Sequence, residues 1–253
     1  MPFVLRALLP LLLSASLLAQ APVSLTPSLT IPLQAETYHV QGIEIDGAKL
    51  WVSSVDVKGK RGLLFEFSLP DGRLVKTVEI QDGPRYHPGG ITSAGDSLWI
   101  PVAEYRKESS TVIQRRNKYT LALESQWEVP DHIGAVAKTP QGLAGANWDA
   151  KDLYLWDAGG KVLRKTSNTT GVAFQDMKYY AGQLIASGVD SNKTGVILWL
   201  DWPSSHVIHV NKRLYPGRTD RGIAYTHEGM ALRDGKIWLL PEDSPSRLFQ
   251  FPI

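Results

Sequence analysis

The chain has 253 residues, no cysteine and a formal net charge of +2. That length can bury the core of one domain, and without cysteine the fold must rest on packing rather than on disulfides. The charge is near balance and no long basic run occurs, which argues against a nucleic-acid partner.

Residues 1–19 have the layout of a secretory signal peptide: Arg6 is followed by an apolar run of thirteen residues, Ala7 to Ala19. A bilayer span needs roughly 20. Cleavage after Ala19 is expected, leaving an exported protein, periplasmic or extracellular, with no membrane span. Residues 20–35 are rich in Pro, Ser and Thr and read as a leader. Residues 36–253 read as the folded domain.

Within that domain one block recurs. Its five anchors are Gly42, Gly90, Ala135, Asp176 and Gly229, at spacings of 41 to 53 residues. One residue after each anchor is apolar: Ile43, Ile91, Val136, Met177 and Met230. Eight after each stands Leu50, Leu98, Leu143, Leu184 or Ile237. Fourteen after each is an acid: Asp56, Glu104, Asp149, Asp190 and Asp243. Turn residues such as Asp46-Gly47 and Asp234-Gly235 divide each block into strand, turn, strand. A third apolar run follows in every copy. A fourth, such as Leu74–Ile80 or Val207–Val210, follows in the first four.

No segment has a helical period. The arithmetic is that of an all-β, five-bladed β-propeller of four-stranded antiparallel blades. Copy five stops after its third strand, so the N-terminal strand at Ser28–Leu33 is expected to complete the last blade. Trp51, Trp99 and Trp238 share one repeat position and are expected between blades.

In a propeller, the residues leading into each inner strand and the loops after each second strand open on one face. The leading positions are polar. His39, His87 and His132 stand three before their anchors, and His227 two before the last. Gln41, Gln175 and Glu228 stand one before theirs. Imidazoles converging from several blades suit a divalent metal ion, with His39, His87 and His132 as ligands. His227 and Glu228 are the candidates for moving a proton. The second-strand exits add Glu104, Tyr105, Arg106, Asn147, Trp148 and Asp190, and Arg85 precedes His87. These and the two glutamines suit a small polar or carbohydrate-like ligand. Asp56 and Asp243 are expected to cap turns or pair with neighbours. His206 and His209 are expected on the outer strand of copy four, at the surface.

The runs Tyr38-His-Val-Gln-Gly-Ile43, Arg85-Tyr-His-Pro-Gly-Gly-Ile91, Pro101-Val-Ala-Glu-Tyr-Arg106, Asp131-His-Ile-Gly134 and Asn147-Trp148 resemble a family of secreted β-propeller proteins of unassigned function. The chain is more distantly similar to the calcium-binding gluconolactonase propellers. That resemblance implies a divalent metal among Glu228, Asn147 and Asp190, although those propellers have six blades and lack this histidine set. Two functions follow as expectations. One is a metal-assisted hydrolase, lactonase or lyase acting on a small polar or sugar-derived substrate. The other is a non-catalytic module binding a carbohydrate, peptide or cell-envelope ligand. A monomer is expected in either case.

Overall fold

The computed structural model describes residues 25–253, so the expected signal peptide lies outside the described residues. Strand β1 (Leu29–Pro32) precedes the first blade, which holds β2 (His39–Asp46), β3 (Lys49–Asp56), β4 (Arg61–Ser68) and β5 (Leu74–Glu79). Blade two holds β6 (Arg85–Pro88), β7 (Thr92–Ala94), β8 (Ser97–Glu104), β9 (Thr111–Asn117) and β10 (Leu123–Val129). Blade three holds β11 (Ile133–Thr139), β12 (Gly142–Asn147), β13 (Asp152–Trp156) and β14 (Val162–Ser167). Blade four holds β15 (Val172–Tyr180), β16 (Gln183–Asp190), β17 (Gly195–Leu200) and β18 (Val210–Leu214). Blade five holds β19 (Glu228–Arg233), β20 (Lys236–Pro241) and β21 (Arg247–Pro252).

Each blade is an antiparallel meander, and β1 pairs with β21 as the fourth strand of blade five, Leu29 opposite Gln250. First and last blades are thereby tied together by the N-terminal strand, which leaves no unpaired ring joint. Blade two's inner strand is split into β6 and β7, both paired with β8, around Gly89-Gly90-Ile91. The outer strand of blade four begins at Val210, later than the expected Val207. Trp202 is buried and its loop runs on to His209, so His206 and His209 are exposed loop residues rather than strand residues.

Inner strands are buried on both faces because blades stack on each other, while outer strands such as β5 and β10 are largely exposed. The repeated tryptophans fill the seams. Trp51 of blade one packs with Ile91 and Leu98 of blade two, and Trp238 of blade five packs with Ile43 and Val52 of blade one. No described helix is long and apolar enough to cross a membrane.

The anchors are small because five blades leave little room at the axis. Gly90 N–H donates to Gly134 O at 2.8 Å, and Val136 N–H donates back to Gly90 O at 3.0 Å, so neighbouring inner strands hydrogen-bond directly. A Cβ on Gly42 would lie 2.5 Å from the Gly90 Cα, and one on Gly90 would lie 2.5 Å from Asp176 Oδ1. Backbone cannot yield there as a flexible side chain would. Gly42→Ala is therefore expected to destabilise by about 3 kcal/mol or more in urea denaturation. Gly47→Ala, with φ at +60° but nothing within 4 Å, is expected to cost about 1 kcal/mol. Equal losses at the two positions would remove the steric argument.

Asp176 is the exception among the anchors, and it closes the axis. It is fully buried. Its Oδ2 accepts from Ile43 N–H at 3.1 Å and Met230 N–H at 3.0 Å. Its Oδ1 accepts from Met177 N–H at 2.8 Å and Lys178 Nζ at 2.6 Å. One carboxylate thus joins blades one, four and five. Lys178 Nζ also donates to Ile91 O of blade two at 2.7 Å.

Candidate functional site

Above this plug, the leading residues of the inner strands turn into an open mouth. The pairing register slips between Val40 and Gly42, between Ile133 and Ala135, and between Phe174 and Asp176. Each slip is a β-bulge at the residue before the anchor, namely Gln41, Gly134 and Gln175. A bulge re-aims the extra residue, and all three line one cavity of about 280 Å3. The other walls include His39, His87, Tyr105, His132, Asn147, Trp148, His227 and Glu228.

One wall is aromatic. The His87 ring lies 4.7 Å from Tyr105, 5.1 Å from His132 and 6.1 Å from Trp148, centroid to centroid, and His132 lies 4.5 Å edge-on to Trp148. Hydrogen-bond partners fix the ring tautomers. His132 Nδ1 sits 2.8 Å from Arg106 O, and a carbonyl only accepts, so Nδ1 carries the proton and Nε2 a lone pair. Gln41 Nε2 donates to Val40 O, so Gln41 Oε1 accepts from His87 Nε2–H at 3.0 Å. His87 Nδ1 is then a buried acceptor without a protein partner.

Trp148 is presented by a tight turn, Trp148–Ala150, in which Asp149 (φ 58°) and Ala150 (φ 50°) are left-handed without being glycine. Such residues cost of order 1–3 kcal/mol each and need surrounding support. Trp148 N–H donates to His132 O at 2.9 Å. The Asn147 amide supplies more: its Oδ1 accepts from Asp152 N–H at 2.8 Å, and its Nδ2 donates to Asp131 Oδ2 at 3.0 Å. Asn147 thus holds the turn while lining the cavity.

Another part of the wall is ionisable. His39 Nδ1 lies 2.9 Å from Glu242 Oε1, and His227 Nδ1 lies 3.3 Å from Glu228 Oε1. Burial pushes the Glu228 carboxyl up to about 8; His39 works against the rise, and Glu242 and Asp176 add to it. Burial opposes charge on His39, but the contact with Glu242 and the neighbouring Glu228 carboxyl raise its pKa above the usual histidine value. The His39 contact lowers that of Glu242. Burial drives His87 down to about 3, helped by His132 and His39, and it lowers His132 and His227 as well. At neutral pH the cavity therefore holds a protonated Glu228 and three neutral imidazoles, with His39 in contact with Glu242.

Four of the sequence candidates lie outside this cavity. Arg85 is held by Asp82 and Glu128, each at 2.8 Å. Glu104 and Arg106 pair with each other at 2.8 Å. Asp190 Oδ1 caps its own turn, accepting from the N–H groups of Asn192 and Thr194 at 2.9 Å. The Glu228, Asn147 and Asp190 set implied by the gluconolactonase likeness therefore does not converge on the cavity. Asp56 and Asp243 are tied to Arg61 and to Arg221 and Arg247, respectively.

Among the described residues, one group of three offers ligand atoms close enough to share an ion: His39, Glu228 and Glu242, all within 4.8 Å of one another. His87 and His132 line the same cavity and are not in that group. Glu242 was missed because the repeat picks out Asp243, one residue later, which faces the arginines instead.

The family model described as "Family of unknown function (DUF6454)" matches residues 25–181. That is more than half of the chain, and the chain belongs to this family. No curated protein sequence matches it. The crystal structure of Myxococcus xanthus glutaminyl cyclase is similar in fold, with a TM-score of 0.67, 14% identity, 89% of this chain covered and 95% of that one. The computationally designed Ika4 protein gives a TM-score of 0.44 at 10% identity, over 67% of this chain and 96% of that one.

Proposed function

We propose that this member of the family is an enzyme of acid–base chemistry at a carbonyl, acting on a small polar group seated in the cavity. The observation that carries the reading is Glu228, a carboxyl buried to 3% exposure on the cavity wall and beside the neutral His227. Two titratable neighbours with pKa values pushed apart make a general acid and a general base. His227 takes the proton of the attacking nitrogen or oxygen as the new bond to the carbonyl carbon forms. Glu228 gives its proton to the departing nitrogen or oxygen as the old bond breaks. The His87 Nδ1 lone pair accepts from a substrate N–H or O–H, and Tyr105 and Trp148 cover its apolar face. The nucleophile is water or the substrate's own amine. The second case is the one named by the structurally similar glutaminyl cyclase, so amino-terminal glutamine is the first substrate to try. Export, read from residues 1–19, is part of the same proposal.

The His39, Glu228 and Glu242 group supports a second reading, in which these residues hold a divalent cation. One imidazole and two carboxylates suit such an ion, which would polarise the substrate carbonyl as a Lewis acid.

The test is ammonia release and pyroglutamate formation from glutaminyl peptides, with esters and lactones in parallel, alongside metal analysis of freshly purified protein. Turnover that survives chelation supports the acid–base reading. Stoichiometric metal lost with turnover on His39→Ala supports the second. No turnover of any carbonyl substrate leaves the binding module as the function.

A further inference from the structure

We infer that the substrate is the end of a peptide chain, with its terminal residue in the cavity and the following residues in an adjoining groove. The inference rests on the pocket reading above and extends it to a substrate class.

A cavity of about 280 Å3 is small, near the lower bound of ligand sites, and fits about one residue. Below, it is closed by Asp176 and the crowded anchors. Sideways it is not isolated. A second depression of about 610 Å3 lies against it, between the exits of blades two and three, and Trp148 and Asn147 wall both. A ligand whose end contacts Trp148 from the cavity side can continue past the same ring into the groove.

The groove's chemistry selects the chain. Glu104 is neutralised by Arg106. The Asp131 carboxylate is spent internally, accepting from His132 N–H at 2.8 Å, Asn147 Nδ2 at 3.0 Å and Tyr154 Oη at 2.6 Å. What faces the groove is Lys107 and Lys151, neither with an ion pair among the described residues, against Glu108 alone. A glycan would want further aromatic faces, and beyond Trp148 the groove has none. A peptide with a carboxylate side chain after its first residues fits two ammonium groups that outnumber the one opposing carboxylate.

The experiment uses the whole mature protein carrying Glu228→Gln, so that bound peptide is not consumed. Titration calorimetry compares glutamine amide with the amidated tetrapeptides Gln-Ala-Glu-Ala and Gln-Ala-Lys-Ala and with a neutral tetrasaccharide. The acidic tetrapeptide is expected to bind at least tenfold more tightly than glutamine amide and more tightly than the lysine peptide. Adding Lys107→Ala and Lys151→Ala is expected to remove that gain, and glutamine amide binding by the same protein reports whether the cavity is intact. Affinities within twofold across the peptides, a gain that survives the lysine changes, or tighter binding of the tetrasaccharide would overturn the inference. Turnover by the wild type is scored separately. Length-dependent peptide binding without turnover removes the chemistry and keeps the groove, whereas turnover of glutamine amide without a length effect does the reverse.

Discussion

The Glu228→Gln protein is expected to turn over substrate roughly 100- to 10,000-fold more slowly than the wild type while being more stable than it at about pH 9. The two effects have one cause. Glutamine keeps the size of the side chain and removes the proton that the departing group needs. It also removes an ionisation that the buried site disfavours. The Glu228 carboxyl has a folded-state pKa of about 8 against 4.5 for the exposed group. Between those values the folded protein keeps a proton that the unfolded chain has released. Stability therefore falls as pH rises through this window, by up to about 5 kcal/mol, with the full penalty above pH 8.

The variant lacks that slope. Its Tm is expected to match the wild type near pH 4.5 and to exceed it by about 10 °C or more near pH 9. Wild-type activity should decline above about pH 8 as Glu228 ionises. Thermal melts at the two pH values and a pH–rate profile check all three outcomes. Wild-type turnover by Glu228→Gln would end the assignment of Glu228 as the acid. A wild-type stability flat from pH 5 to pH 9 would show that the carboxyl is already ionised, as the metal reading requires.

Replacing Asp176 with alanine should be among the most damaging single changes in the chain, costing about 3–5 kcal/mol or preventing folding. Three backbone N–H groups and the Lys178 ammonium converge on this carboxylate, and none can reach water. Their loss would be felt at once in blades one, four and five. Much of the cost should come from the stranded lysine, which is itself buried. Asp176→Ala combined with Lys178→Met is therefore expected to recover part of the stability in urea denaturation. A double variant as unstable as the sum of the singles would show that the pair is not a unit.

The ring of blades was legible because a propeller writes its geometry into the spacing of small, apolar and acidic residues. Gly42, Gly90 and Gly229 mark the axis, Leu50 and its equivalents mark the second strand, and Trp51 and Trp238 mark the seams. The histidine positions were legible for the same reason: residues equidistant from equivalent anchors must emerge at one mouth. Legibility ended where a side chain's direction depends on something with no repeat. Arg85 shares the mouth by register, but Asp82 and Glu128 hold it away.

By itself, then, the sequence determined the fold, the number of blades, the closing N-terminal strand and the face that carries the cavity. All of these follow from periodic spacing and from the need to bury both faces of every inner sheet. Only the tertiary structure decided which acids face inward. The chain bends just past β20, so the step from Asp243 to Glu242 exchanges a buried partner of two arginines for a neighbour of His39. It likewise decided that Asp176 seals the axis, because two of its four donors come from the next two residues, Met177 and Lys178, and the other two from strands 54 and 133 residues away.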